Sequence, residues 1–207
     1  MNSIFAPVFK ALQKPAKLIT IITFYIITAF ALLTNLPDTD DGFFGVVGEL
    51  ITLTIMLVLW AIVPTLLLLK KEEAAAKVFP FVLFYWLIDE IITFLSHGLW
   101  IRSGIQGLYI TVGVFDFLIA LILLAAVVLI VLGMLKKTLD FGFLPYVIAA
   151  CTYLFYLVAF ILWLVIRAKA NAEWSDYFDV IVSYMIQPIG IFFAVLYFFI
   201  PKQGKTE

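Results

Sequence analysis

Three ionisable side chains lie within one apolar stretch of the chain, between residues 78 and 101. They are Asp89, Glu90 and His97, and His97 is the only histidine of the protein. Ionisable groups inside a membrane-spanning helix are rare, and those that occur face protein or water and mark proton, ion or substrate sites. Carboxylates with an imidazole nearby could relay a proton or hold the positively charged group of a small molecule. This stretch is therefore the first candidate site.

The polar residues of this stretch share one side of the helix that it predicts. At roughly 100° per residue they fall within an arc of about 140°. This polar stripe consists of Asp89, Glu90, Thr93, Ser96, His97 and Ser103. The opposite side is apolar and suits lipid or a neighbouring helix. We therefore expect the polar stripe to line a water-filled cavity or to meet a partner helix.

Residue spacing restricts the chemistry of the polar stripe. Glu90 and His97 are about 10.5 Å apart along a helix axis, which is too far for a direct hydrogen bond or for two ligands of one metal ion. Asp89 and Glu90 diverge by about 100°, so they are poorly placed to act on one reacting atom. We expect no catalytic residues, no bound metal and no cofactor. An oxygen-rich cation site assembled from several helices is the open alternative.

Other apolar stretches also carry polar or small residues at helical spacing. Glu49 lies about one turn inside the second stretch, and Asp116 lies at a similar depth inside the fourth. In the sixth stretch such residues recur at intervals of four, four and three: Asp179, Ser183, Gln187 and Gly190. The residues that we expect to bind a substrate or ion are Asp89, Glu90, His97, Glu49, Asp116 and Gln187. The residues that we expect to support them are Thr52, Thr93, Ser96, Asp179, Ser183, Tyr153 and Tyr156.

The same polar positions also fit a purely structural role. Small residues let membrane helices approach, and polar side chains hydrogen-bond across helices. The acids would then be satisfied by hydroxyl groups such as those of Thr23, Tyr153 and Tyr156. Pro188 interrupts the backbone hydrogen bonds next to Gln187, and interrupted helices are typical of transporter binding sites. Both interpretations stay open from the sequence.

Composition assigns these residues to a membrane protein. Of 207 residues, 65% are hydrophobic and 13% are charged, and the mean hydropathy is +1.17. A soluble domain carries about twice that share of charged residues. Six apolar stretches are each long enough to cross about 30 Å of hydrocarbon. They are approximately residues 17–36, 44–69, 78–101, 109–135, 142–166 and 178–200. We predict an all-α, polytopic integral membrane protein with six transmembrane helices.

The chain divides into one large domain and two short ends. Residues 17–200 form the predicted six-helix domain, and its connections are short. The segment 1–16 has its apolar residues on one side, which fits an amphipathic helix on the membrane surface that ends near Pro15. A frayed basic start that only sets the topology is the alternative. Residues 201–207 form a cytoplasmic tail.

Lysine and arginine residues indicate the orientation in the membrane. With the N-terminus inside, ten of the thirteen lie on the cytoplasmic side, as expected from the positive-inside rule. The three outer residues are Arg102, Arg167 and Lys169. Both termini are therefore predicted to be cytoplasmic, in a bacterial-type cytoplasmic membrane. The tryptophans expected in the outer membrane interface are Trp100, Trp163 and Trp174.

Most acidic residues lie on the predicted outer side of the membrane or near its middle. Asp38, Asp40 and Asp41, for example, fall in the first outer loop. Such a surface attracts cations and repels anions, although loop acids are also ordinary solvated residues. The expected partners are the lipid bilayer and a small cationic or zwitterionic solute or protons, with no nucleic acid.

Two functions fit these features. The first is solute transport or capture, by a bundle with an acidic pocket that opens outward and binds a cation, a proton-coupled solute or a zwitterion. The second is an accessory or assembly subunit of a larger membrane complex, with no substrate of its own. In that case the polar stripe would meet a basic residue of a partner membrane subunit.

Overall fold

The computed structural model describes residues 2–34, 42–99, 106–135 and 144–199, and these ranges are helical, joined by short turns, with no strand. The predicted all-α class is confirmed. In chain order the helices are α1 (Asn2–Thr34), α2 (Gly42–Leu68), α3 (Glu72–Leu99), α4 (Gln106–Leu135), α5 (Leu144–Lys169), α6 (Trp174–Ile181) and α7 (Gln187–Phe199). A five-residue π turn, Val182–Ile186, joins α6 to α7.

Five segments in the described ranges are long and apolar enough to cross a membrane. They are Lys14–Leu33, Val46–Leu68, Ile110–Val128, Val147–Lys169 and Trp174–Phe198. The last segment combines α6, the π turn and α7. Helix α3 is not among the five, and its described residues include the charged side chains Glu72, Glu73, Lys77, Asp89 and Glu90. The chain thus has the apolar helices of an integral membrane protein.

The helices form a closed ring in which each packs beside the next. Contacts join α1 to α2, α2 to α3, α3 to α4, and α4 to α5. Helix α5 packs against α6, the π turn and α7, and α7 returns to α1. Phe24 of α1 and Trp60 of α2 meet edge to face, with ring centroids 5.0 Å apart. The inward sides of α1 to α5 and α7 share one core, and α6 contributes Val180 to a second, smaller cluster with residues of α4 and α5.

Contacts across the ring close the end of the bundle where α3 begins and α7 ends. The Lys17 ammonium nitrogen of α1 lies 3.0 Å from Oε1 of Glu72. The same ammonium lies over the ring of Tyr197, 5.9 Å from its centroid. The rings of Phe79 in α3 and Phe198 in α7 are 5.0 Å apart. This closed end is the predicted cytoplasmic end.

Helix α1 continues through Pro15, where the sequence predicted the end of a short surface helix. Proline removes one backbone hydrogen bond, but helices that pack against neighbours tolerate that loss. Ala16 and Thr20 are fully buried just after Pro15, so this part of α1 is packed in the bundle. The predicted end near Pro15 is therefore wrong, and the surface location of residues 1–16 stays a prediction.

The π turn accommodates Pro188. In a regular α-helix the proline ring would collide with the carbonyl group of Tyr184, four residues earlier. Here the Gln187 N–H donates to the Val182 carbonyl oxygen, five residues earlier. This wider turn changes the register, since a π-helix bonds residues five apart rather than four. Residues after the turn therefore lie on a different side of the helix from the one that the regular four, four and three spacing of the sixth apolar stretch predicted.

Gly190 lets α7 approach α1 closely. A methyl group in place of its hydrogen would lie 2.6 Å from Oγ1 of Thr23 and 3.2 Å from Cδ1 of Phe24. The Thr23 hydroxyl donates to the Ile19 carbonyl oxygen at 2.7 Å, which holds its side chain in place. Small residues permit such contacts between membrane helices. Glycine is therefore required at this position for packing.

Substitution of Gly190 by alanine tests this contact. Gly190→Ala should destabilise the protein by about 1–3 kcal/mol, because overpacking displaces side chains or backbone. Gly48→Ala is the matched control, since nothing lies within 4 Å of the added methyl group and alanine favours the helix. Thermal unfolding in detergent micelles should give a lower Tm for Gly190→Ala alone. Equal Tm values for the two variants would contradict the close approach.

Candidate functional site

Glu90 is the buried acid of the polar stripe. It lies on the inward side of α3 and is 6% exposed. The Tyr156 hydroxyl of α5 donates a hydrogen bond to Oε1 of Glu90. The other oxygen, Oε2, is equally buried and has no hydrogen-bond partner among the described residues. The bundle therefore binds one oxygen of this carboxyl group and leaves the second without a donor.

Aromatic rings from three segments surround this carboxyl group. Trp86, one turn before Glu90, stacks on Tyr156 with ring centroids 5.1 Å apart and an interplanar angle of 13°. The Tyr184 ring of the π turn lies 6.0 Å from the rings of both Tyr156 and Trp163. The Trp86 indole N–H is buried and also lacks a partner within the described ranges. These four residues form the aromatic cluster.

Asp116 of α4 is close enough to Glu90 for their charges to interact. Asp116 is fully buried, and its charge acts on Glu90, Tyr156 and Tyr184. Glu90 lies about 13.5 Å from the end of α3, and Asp116 about 15 Å from the start of α4. Both acids thus lie well inside their helices, more than two turns from the nearer end. Two such carboxylates repel each other when both are ionised.

A second pair of acids is exposed. Asp89 of α3 and Asp179 of α6 both have accessible side chains. They are close enough to interact electrostatically, although α3 and α6 are not among the helix pairs that pack closely. The Ser183 hydroxyl donates to Oδ1 of Asp179 at 3.4 Å. Because both side chains are exposed and the two helices do not pack closely, we expect the acids to face a gap between α3 and α6.

Arg167 lies near the end of α5, between the aromatic cluster and the acids of α6. Its guanidinium group is over the Trp163 ring, 5.4 Å from the centroid. Its Nη1 lies 3.5 Å from Oδ1 of Asp176, and its charge also acts on Asp179. This outer basic residue is thus engaged by the acids of α6 and not by Glu90.

Trp163 is 8% exposed, so its ring packs inside the bundle and does not face lipid, whereas its depth near the outer membrane interface stays a prediction. Arg167 follows it by four residues and covers its ring, as side chains at this helical spacing do. Trp174 is 89% exposed at the start of α6 and agrees with a surface location. Trp100 lies outside the described residues.

The polar stripe divides between two environments. Glu90 is buried, whereas Asp89 is exposed beside Ile88, Ile91 and Ile92. The reason is geometric, since adjacent helical residues point about 100° apart. The remaining members of the stripe, whose side chains lie outside what the structure describes, are Thr93, Ser96, His97 and Ser103.

Four other predicted residues have different surroundings. Glu49 and Thr52 are exposed on α2, and the Thr52 hydroxyl donates to the backbone of its own helix. Gln187 is half-buried at the start of α7. The Tyr153 ring packs against Phe192 at 5.7 Å and joins α5 to α7. Of the predicted residues, the structure therefore brings together Glu90, Asp116 and Tyr156, and separately Asp89, Asp179 and Ser183.

The aromatic cluster was not predicted as part of the site, apart from Tyr156. Trp86 precedes Glu90 by four residues and Trp163 follows Tyr156 by seven, which are spacings of a shared helix face. Trp86 and Trp163 could therefore have been found from the sequence. Tyr184 could not, because its direction depends on the π turn.

Compared with known proteins, the chain matches no family model, no curated protein and no solved structure. Its own side chains are therefore the basis for inferring a function. In the part of the chain that the structure describes, no group of three or more acidic, histidine or cysteine side chains is arranged to hold a metal ion. The buried site is instead two acids against aromatic rings and hydroxyl groups.

Cysteine labelling tests whether the gap at Asp89 is aqueous. In a Cys151→Ser background, Asp89→Cys and Asp179→Cys should react in intact membranes with a charged, water-soluble maleimide, because only an ionised thiol reacts. Ile91→Cys is the matched control, since Ile91 is 42% exposed and lies about 200° around the same helix from Asp89, on the side expected to face lipid. It should stay unlabelled. Equal labelling at positions 89 and 91 would contradict a gap that is separate from the lipid surface.

Proposed function

We propose that this chain is a small membrane transport or solute-capture protein whose binding site is the acid pair Glu90 and Asp116. One observation carries the proposal: Oε2 of a deeply buried glutamate has no donor among the described residues, and the charge of a second buried acid acts on it. Charge in an apolar interior is costly unless it is compensated. The ligand would therefore be a proton, a small cation or the positive group of a zwitterionic solute.

In this proposal α3 is the sixth transmembrane helix. Its 28 residues span about 42 Å, and its neighbours α2 and α4 are both long and apolar enough to cross. Three of its charged residues lie in the first two turns, where they would reach the membrane surface. Glu90 points into the bundle. Six crossings put both termini on one side, which the lysine distribution predicts to be the cytoplasm.

The proposed route to the site runs past Asp179 and Asp89. These exposed acids face the gap between α3 and α6 and would attract cations from the outer solution. The opposite end of the bundle is closed by the contacts of Lys17 with Glu72 and of Phe79 with Phe198. A bundle that is open at one end and closed at the other fits one state of an alternating-access cycle.

A second candidate function, an accessory subunit of a larger complex, is favoured by the outer face of α3. Asp89 is exposed there beside Ile88, Ile91 and Ile92. A carboxylate on an apolar helix surface would be neutralised by an Arg or Lys of a partner helix. This function predicts that the chain purifies with other subunits and that Asp89→Asn releases them. Transport predicts a chain that purifies alone and works alone.

Uptake into proteoliposomes tests transport by the purified chain. With an imposed pH gradient and membrane potential, we expect accumulation of radiolabelled methylammonium or glycine, as a small cation and a small zwitterion. Glu90→Gln should lower that uptake by about tenfold or more, a change of about 1.4 kcal/mol. Glutamine has nearly the same shape and can still accept the hydrogen bond of Tyr156, so the variant should keep its Tm.

The matched control is Glu73→Gln, because Glu73 is exposed in the first turn of the same helix. It should transport like the parent protein. If Glu90→Gln accumulates both probes as well as Glu73→Gln does, Glu90 is not part of a transport site. If the parent protein accumulates neither probe and purifies with partner subunits that Asp89→Asn releases, the accessory function is the correct one.

A further inference from the structure

We propose that the ion taken by this site is a proton, carried on Oε2 of Glu90. The inference rests on the proposed function and names the ion that its binding site takes. It starts from an unpartnered polar atom in a side chain that is more than nine-tenths buried. A cluster of acids alone would not identify a ligand, whereas this orphaned oxygen points to one.

The hydrogen bond of Tyr156 selects the oxygen that binds. Its hydroxyl donates to Oε1, so the partly positive hydrogen of the phenol already occupies a lone pair of that atom. Oε2 has no such donor among the described side chains. A proton needs one lone pair on one oxygen, and Oε2 provides it.

The surroundings of Glu90 suit a proton better than a metal cation. Hard cations such as Ca²⁺ or Mg²⁺ require about six to eight oxygen ligands at fixed distances. Glu90 is instead enclosed by the rings of Trp86, Tyr156 and Tyr184, and such rings offer few oxygens. The described ranges contain no acid-rich group that could hold a metal. A bound proton needs neither a coordination shell nor added volume.

Among the described residues, the groups that face Glu90 supply no positive charge. Its own helix contributes Asp89, α4 contributes Asp116, α5 contributes Tyr156, and the π turn contributes Tyr184. Helix α2, the other neighbour of α3, has one titratable side chain in its sequence, Glu49, which is exposed on the surface. These described neighbours are acids and phenols, so in this proposal the compensating charge comes from solution.

Binding and release are simple proton transfers. Oε2 accepts a proton from a hydronium ion that arrives past Asp179 and Asp89, which forms a neutral carboxylic acid and one water molecule. The neutral acid no longer repels the charge of Asp116. On release the O–H bond breaks and the proton passes to a water molecule. Tyr156 keeps its own proton throughout and is a positioning residue.

Infrared difference spectroscopy with pH exchange tests the proposal without a known solute. The purified protein in a lipid film should show the C=O band of a neutral carboxylic acid that converts to carboxylate bands as the pH rises. Glu90→Gln should lose this band completely, and the control Glu73→Gln should keep it. Tyr156→Phe should keep the band but shift its frequency, because Oε1 loses its donor. A purely structural role for Tyr156 would not move this frequency.

The outcomes separate the proton from other ligands. Loss of the band in Glu90→Gln, together with a frequency shift in Tyr156→Phe, supports the proposal. If Glu90→Gln does not fold, the frequency shift in Tyr156→Phe alone tests whether the protonated group is Glu90. A band that survives in Glu90→Gln overturns it. Conversion of the band by added NaCl or KCl at constant pH also overturns it, because a metal cation then competes for the site. If the band behaves as expected but proteoliposomes show no uptake, transport fails and the proton site stands.

Discussion

The hydrogen bond from Tyr156 to Glu90 is the contact on which the rest of the structure depends. It joins α5 to α3, which are separated in the ring by α4, and it gives a buried acid its one described donor. The same tyrosine stacks on Trp86 and contacts Tyr184. The inward faces of α3, α5 and the π turn are therefore organised around one carboxyl group.

This hydrogen bond cannot by itself compensate a buried charge. A hydrogen bond to a charged group contributes about 1.5–3 kcal/mol, whereas removing a carboxylate from water costs several kcal/mol. Asp116 adds repulsion instead of relief. The balance is restored most simply when the pair holds a positive charge, and the exposed acids Asp89 and Asp179 lie where such a charge would enter. An apolar bundle that keeps this arrangement is suited to binding and releasing a cation.

The sequence predicted the helices well because their apolar stretches are long, and it identified Glu90, Asp116 and Tyr156 because polar groups are rare in such stretches. It could not separate Asp89 from Glu90, since their exposure depends on which helices pack beside α3. It placed Trp163 near the outer membrane interface because tryptophans are common there, but it could not show that Arg167 covers this ring and that the ring packs inside the bundle. The direction of Tyr184 required the π turn, which local spacing does not reveal. Pro15 did not end α1, because packing can outweigh one lost hydrogen bond.

A double-mutant cycle between positions 90 and 156 tests the central contact most directly. The free energy of unfolding would be measured for the parent protein, Glu90→Leu, Tyr156→Phe and the double variant. If the two side chains stabilise the bundle through their shared hydrogen bond, the cycle should give a coupling free energy of about 1–3 kcal/mol. Effects that add to within about 0.5 kcal/mol would contradict the account, because the two groups would then act independently.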